Sequence, residues 1–359
     1  MKILLTNSGL GGLGGAQSFL HELGSALIGL GHEVAGFSSD PSDRDGDHPF
    51  PVAGSIGSLP FEPEVIHGQH HLTAMTAILG LPGIPAVYHC HGAVWRECPP
   101  RHPRIRHYLA MSSTLAFRME IEGNLSRADI SVFPNTIDLE RFRLVRSPPD
   151  IPRRALFYNK MHTAESPTVA AARHAAGELG IKLEFAGRHF GRMLAEPETT
   201  LPEYDIVFAS GKSAIDAIAC GCAVVVLGRN SCGELVRPEN FARLREVNFS
   251  IAVNSPPPCR QKIAGELRGY SASGTRKVTA MLREAADIRQ AATRLVSIHE
   301  SVLRAHRAFP PEEKNEALAV ARYLRGLTPI FALHERVMTA RHLGGGDRAV
   351  RSGREDAPG

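Results

Sequence analysis

Tyr204-Asp-Ile-Val-Phe-Ala-Ser-Gly-Lys-Ser-Ala-Ile-Asp-Ala-Ile-Ala-Cys-Gly-Cys-Ala-Val-Val-Val226 reads as strand, turn, helix, stop and strand. The apolar run Asp205–Ala209 ends in a Ser-Gly turn. Ala214–Cys220 follows as a helix, closed by Gly221, and Ala223–Leu227 is a second apolar strand. Two strands joined through a helix pair in parallel, with a right-handed crossover. Ser210, Gly211 and Ser213 bring hydroxyl and N–H donors to the helix start, and Lys212 adds a cation. That environment suits a diphosphate. Asp216 lies one turn further on. It is either a carboxylate for ribose hydroxyls or an i,i+4 partner of Lys212 on a solvated face.

The same alternation runs outward in both directions. Upstream, Ala155–Tyr158 and Lys182–Ala186 are strands around a helix over Thr168–Leu179, and Lys160 follows the first of them. Further back, Lys2–Thr6 is a buried strand. Ala16–Leu30 carries Phe19, Leu20, Leu23, Leu27 and Leu30 at helical spacing. Strands at Glu64–Gly68, Ile84–Cys90, Tyr108–Met111 and Ile130–Phe133 complete a first α/β half. Leu144–Arg154, with Pro148, Pro149 and Pro152, reads as the linker between halves. The expected layout is an α/β protein with two Rossmann-like domains, their parallel sheets facing a cleft, plus C-terminal helices. The first domain covers 1–143, the linker 144–154 and the second domain 155–306. Met281–His306 is helical, and the helices of 307–342 (Glu312–Leu324 or Pro329–His342) are expected to cross back to the first domain. A Gly- and charge-rich stretch, 343–359, is expected to be a disordered tail.

The first strand runs into Ser8-Gly-Leu-Gly-Gly-Leu-Gly-Gly-Ala16. Without Cβ atoms, Gly12, Gly14 and Gly15 let a ligand approach the backbone beside the free N–H groups of the next helix. The string Gly9–Gly14 also matches GxGxxG. The acidic residue a dinucleotide needs comes late, at Asp40, which leaves a nicotinamide or flavin site as an alternative.

The 359 residues suffice for two domains, and 43% hydrophobic content fills both cores. A net charge of +4 suits anionic small molecules and is too small to argue for nucleic acid. No apolar run reaches a membrane span, and the chain opens on a strand without a signal-type segment. A cytoplasmic protein is expected, with peripheral contact at the inner membrane face. The basic stretch Arg96–His107, broken by Pro99, Pro100 and Pro103, reads as a solvated loop, the alternative being a face for an anionic lipid or an anionic acceptor. Six scattered cysteines read as free thiols. Asp43-Arg-Asp45 and Asp45-Gly-Asp47 are DxD strings in a polar loop and read as solvated turn carboxylates, so no metal site is expected.

Four segments together resemble the GT-B glycosyltransferases, in particular the retaining family 4 group. Gly14-Gly-Ala-Gln17 is similar to that family's Gly-Gly-Ala-Glu loop, with Gln17 in place of Glu. Ile84–Gly92 resembles the strand that ends in a functional His, here His91. Phe133-Pro-Asn-Thr-Ile-Asp138 resembles the segment that closes the first domain. Asp216-Ala-Ile-Ala-Cys-Gly-Cys-Ala-Val-Val225 resembles the Glu-Ala-Met-Ala-Cys-Gly-x-Pro-Val-Val run. The family's first motif carboxylate falls on Phe208. Lys160 stands at its Arg position, and Ser166 at its Lys position.

The resemblance implies a nucleotide-sugar donor in the second domain and an acceptor in the first, whether glycan, lipid-linked or small molecule. It implies transfer with retention, without metal or other cofactor. His91 would touch the transferred sugar, Lys160 and Lys212 the diphosphate, and Glu234, in Cys232-Gly-Glu-Leu-Val236, the donor. A nucleotide-sugar epimerase of the same architecture and a catalytically degenerate nucleotide-sugar binding protein are the alternatives.

Overall fold

The structure, a computed structural model, describes residues 1–11, 14–40, 42–43, 46–228, 231, 233–250 and 257–351, with backbone alone at 334 and 337–351. Its first sheet holds β1 (Lys2–Asn7), β2 (Glu33–Ser38), β3 (Val52–Ala53), β4 (Val65–Gly68), β5 (Ala86–Cys90), β6 (Ile105–Ala110) and β7 (Ile130–Val132). The strands are parallel, in the order β3-β2-β1-β4-β5-β6-β7. Helices α1 (Gly15–Gly29), α2 (His71–Gly80) and α3 (Ser113–Ile121) make the crossovers.

The second sheet, in the order β11-β10-β8-β9, is also parallel and contains β8 (Arg154–Tyr158), β9 (Lys182–Ala186), β10 (Ile206–Ala209) and β11 (Ala223–Val226). Around it lie α4 (Pro167–Glu178), α5 (Pro197–Thr200), α6 (Lys212–Ala219), α7 (Phe241–Glu246), α8 (Arg260–Arg268) and α9 (Ala272–Ala285). Two helices follow, α10 (Ile288–Ala308) and α11 (Glu313–Arg351).

Each sheet is apolar on both faces, as burial between helix layers demands. Ile3 and Leu5 of β1 pack on the α1 side with Phe19, Leu20, Leu23 and Leu27, while Leu4 joins the opposite face with Ile66 and Ile78. In β8, Leu156 and Tyr158 face one way, Ala155 and Phe157 the other. Phe208, where the resemblance expects a carboxylate, is fully buried in β10 and stacks with Phe157.

The C-terminal helices depart from the expected layout. The helical pattern of Met281–His306 is two helices, broken where the Asp287 side chain accepts the Arg289 N–H at the start of α10. The return to the first domain happens at this break. Ile288, Ala291, Ala292, Leu295 and Val302 of α10 complete the core under α1. Here the outgoing and returning chains touch: Ile137 N–H donates to Ala286 O at 2.8 Å, and Ile288 N–H to Ile137 O at 3.0 Å. Helix α11 stays on the first domain, where Glu316 pairs with Arg104 at 3.0 Å. It continues helical through 344–351, where composition suggests a disordered tail; residues 352–359 lie outside the described residues.

One glycine beside the cleft is sterically required. Gly187 follows β9 with φ +147°, and a Cβ there would sit 2.0 Å from the carbonyl oxygen of Asn159. Gly187→Ala should lower stability by about 2 kcal/mol or more, a fall in Tm of roughly 4–8 °C. An unchanged melting curve would show that the backbone after β9 moves freely away from Asn159.

Candidate functional site

Parallel sheets offer their ligand sites at the carboxyl ends of the strands, and the two carboxyl edges meet here. Beyond β1 the chain reaches Gly14 and Gly15 at the start of α1; beyond β10 it reaches Ser210, Gly211 and α6. A Cβ on Gly15 would lie 3.4 Å from Lys212 Cβ, so the two helix starts abut. Between them lies a cleft of about 260 Å³, lined by Gly14, Gly15 and Ser18 from the first half and by Tyr158, Lys160, Ser210, Lys212, Ser213 and Asp216 from the second. Gly211 precedes α6 with φ +59° and ψ −134°, a conformation that suits only glycine. Ser213 bonds the hydroxyl of buried Tyr158.

Lys212 is not the free cation that the sequence suggests. Its ammonium is buried and donates to Glu22 Oε1 at 3.0 Å, Glu22 Oε2 at 3.1 Å and Asp216 Oδ1 at 2.9 Å. It also lies 5.3 Å from the ring centroid of Phe142. Burial opposes its charge, but the two carboxylates win and push its pKa up to about 12. Burial raises Glu22 to about 7, against the pull of Lys212. Asp216 is thus the i,i+4 partner of Lys212, in a buried cluster rather than on a solvated face. Glu22, on α1, carries that cluster across the cleft. No local pattern in the sequence marks Glu22; its partner is nearly two hundred positions away.

Lys160 is the cation that remains open to the cleft. It has no ion-pair partner among the described residues. Its pKa is lowered by burial and then by the charge of Arg188, which follows β9 and is likewise unpaired among the described residues. The opposite pull of Asp216 on Lys160 is the weaker one, so the two cations leave a net positive place for an anion. Arg188 lacks any signal in the motif reading, because it enters from a separate strand.

Other expectations change on inspection. His91 follows β5 but is buried under α1, its ring 5.1 Å from Phe19 and 4.1 Å from His89, and it does not line the cleft. Burial lowers its pKa to about 4, so it is neutral. Glu234 turns away, accepting from Asn240 Nδ2 at 2.9 Å and an Arg243 guanidinium nitrogen at 2.6 Å. Gln17 folds back over Gly14, and Gly12 lies outside the described residues, as do Asp45 and Cys232. Asp43 is no solvated turn carboxylate. It is buried and accepts the N–H groups of Leu10 and Gly11, each at 2.5 Å, and the Ser38 hydroxyl, which ties down the glycine loop. Burial opposes its charge, but these donors hold it below the usual carboxylate range. The basic stretch Arg96–His107 is not one outward surface, because His102 and Arg104 are buried and Arg104 binds the Leu81 and Ile78 carbonyls and Glu316. Cys90, Cys98, Cys220 and Cys222 are free thiols. Among the described residues, no helix is long and apolar enough to cross a membrane.

Residues 13–141 match the family model described as Glycosyltransferase Family 4. No curated protein matches the chain significantly. Among solved structures, a glycosyltransferase from Rickettsia africae ESF-5 superposes with a TM-score of 0.60 at 12% identity, covering 84% of this chain and 98% of that one. The lipopolysaccharide outer core galactosyltransferase WaaB gives 0.56 at 13% identity, over 84% and 100% of the two chains. A candidate UDP-N-acetylglucosamine 2-epimerase from Listeria monocytogenes gives 0.51 at 12%, over 82% and 94%. The likeness is one of fold: two Rossmann-like domains in the GT-B arrangement.

Proposed function

We propose that this GT-B chain, whose first half is a Glycosyltransferase Family 4 domain, transfers a sugar from a nucleotide-sugar to an acceptor. The observation that carries the reading is Lys160, without an ion-pair partner among the described residues, lining the cleft beside the start of α6, with the charge of Arg188 near enough to lower its pKa. When the nucleoside diphosphate leaves, charge builds on its β-phosphate. Lys160, Arg188 and the unbonded N–H groups at the start of α6 stabilise that charge in place, without reorganising. Ser210, Gly211 and Ser213 shape the phosphate contact, and Asp216 at the cleft wall meets the ribose. Lys212 acts through Asp216 rather than on the phosphates. The resemblance adds retention, independence from metal, a hexose as the transferred sugar, and an acceptor bound by the first domain from the glycan, lipid-linked or small-molecule classes.

The test is a thermal-shift panel with UDP, GDP, ADP, their common sugars and NAD. A ligand at about 100 times its Kd adds roughly 2.7 kcal/mol. One nucleoside diphosphate series should raise Tm, and Lys160→Ala should remove that shift while leaving the unliganded Tm in place. A shift with NAD alone would overturn the reading and return the glycine loop to a dinucleotide.

A further inference from the structure

A second and larger hollow lies away from the cleft, where α11 rests against the first domain. Its volume is about 1000 Å³, at the upper end of ordinary ligand sites. None of its lining residues lines the cleft. One wall is the stretch from Cys98 to Pro103 that leads into β6. The other is a stripe of α11, where Asn315, Ala319, Arg322 and Gly326 share one helix face. That stripe covers about 16 Å of helix, at about 1.5 Å per residue. Both walls are fixed. The Tyr323 hydroxyl of α11 is 2.8 Å from His71 Nδ1 at the start of α2, and Leu327 is buried. On the other wall Pro99, Pro100 and Pro103 restrict the backbone, and the Pro100 carbonyl accepts the Tyr108 hydroxyl at 2.9 Å. The hollow is a preformed groove.

The lining combines two kinds of surface. Trp95, the only tryptophan of the chain, is 43% exposed. Its ring meets the His71 ring at 4.5 Å and 83°, an edge contact that fixes the indole and leaves nearly half of it open. Arg101, Asn124, Ser126, Asp129 and Arg322 are exposed along the same groove. Arg101 and Arg322 have no ion-pair partner among the described residues. The charges of Arg101 and Asp129 both reach Tyr108 and act on it in opposite senses, so they offset each other there. His71 and His102 also line the groove; burial lowers both pKa values, so neither adds a charge. A lipid tail is matched by a continuous apolar channel, and a phosphate by cations alone. This lining is neither. A flat ring beside amide, hydroxyl, carboxylate and guanidinium groups matches a chain of pyranose rings. Each pyranose has a face of C–H groups to lie on the indole and a rim of hydroxyls for the polar groups to orient.

We infer that this groove binds a carbohydrate chain of several linked sugars, with Trp95 against one ring and Arg101, Asn124 and Arg322 on the hydroxyls of its neighbours. Sharing no lining residue with the cleft, the groove holds the chain and takes no part in bond making. As a hold on a polymeric acceptor it narrows the acceptor classes to glycans. That use rests on the transfer reading above; the binding itself does not. It also gives part of the stretch Arg96–His107 a ligand other than an anionic surface.

Because Trp95 is the only tryptophan, tryptophan emission reports on this groove. Full-length protein is titrated with maltohexaose, cellohexaose, mannohexaose and chitohexaose, and with glucose. At least one hexasaccharide should shift Trp95 emission to saturation, at a concentration about 100-fold or more below that of glucose, because several rings are held at once. Arg322→Ala, at an exposed position of α11, keeps the reporter and should weaken that binding about 10-fold. Trp95→Ala, followed by calorimetry, should lose it. Unchanged emission with all the hexasaccharides would overturn the inference, as would equal affinity in wild type and Arg322→Ala. A shift with vesicles of phosphatidylglycerol and phosphatidylcholine, and with no hexasaccharide, would overturn it in favour of a lipid surface. The thermal-shift panel keeps the two readings apart. A protein that binds a nucleoside diphosphate while Trp95 stays silent keeps the transfer reading and loses the groove. Hexasaccharide binding without any nucleoside diphosphate keeps the groove and removes its use as a hold on an acceptor.

Discussion

Lys212→Ala should destabilise the protein by about 3–5 kcal/mol, the usual consequence of removing one partner from a buried ionic cluster. Glu22 and Asp216 would be left facing each other out of water, with no cation between them. The charge of Arg141, which reaches both, offsets part of this, and a shared proton the rest. Glu22→Gln is the contrasting case. Its carboxyl already titrates near 7, so an amide of the same shape replaces a group that is mostly protonated in mildly acidic buffer. At pH 6 that change should cost about 1 kcal/mol or less. Urea denaturation of the two single variants and the double variant closes a cycle. A coupling of about 1–3 kcal/mol between positions 22 and 212 is expected. Should Lys212→Ala unfold at the wild-type urea concentration, the ammonium would be hydrated in solution. Lys212 would then return to the cations available to a diphosphate.

A second large effect should appear on acidification. His67, His89, His91 and His299 are buried in the first domain. His67 is 5.5 Å from His89 and 5.6 Å from His299, and His89 is 4.1 Å from His91. Both ring nitrogens of His67 and His299 lack a hydrogen-bond partner among the described residues. Burial lowers all four pKa values, to about 4 for His91 and about 3 for His299. In the unfolded chain each titrates near 6.5. Below that pH the unfolded state binds more protons than the folded one, so stability is full above 6.5 and is lost as pH falls toward 4. Each group removes up to about 1.4 kcal/mol per pH unit, so four remove about 5 kcal/mol per unit. That is comparable with the whole stability of an ordinary domain. Urea midpoints should therefore drop steeply between pH 6 and pH 5, before the carboxylates Asp43 and Glu97 take up protons. His299→Leu should flatten the slope by one group's share. A midpoint that stays level across this interval would mean that these rings reach solvent.

Much of the architecture was open to inspection in the sequence because it rests on local signals. Apolar runs, glycine stops and the Ser210-Gly211 turn each act within a few residues, and the strands they predict are present with small shifts at the ends. Lys160 was open to the same reading, since it directly follows a strand. What escaped depends on distant partners. Asp43 looks like one member of a polar string until the N–H groups of Leu10 and Gly11 are brought to it. Lys212 looks like a free cation until Glu22 arrives from α1. The break at Asp287 interrupts the helical pattern for too few residues to register as a change of domain, although Asp287 has the chemistry of a helix cap. The contacts of His70 with Ser8 and Glu97 join three separate stretches of chain, which no local pattern links.

The meeting of Ile137 with Ala286 and Ile288 bears on synthesis. The core under α1 is shared between the opening stretch of the chain and α10, so the domain that begins first is finished last. A nascent chain ending near residue 150 has its first sheet but bare apolar side chains on α1, and the ribosome must deliver the whole second domain before α10 can cover them. Emerging chains of this protein therefore have a long vulnerable interval, in which the second domain completes itself while the first waits.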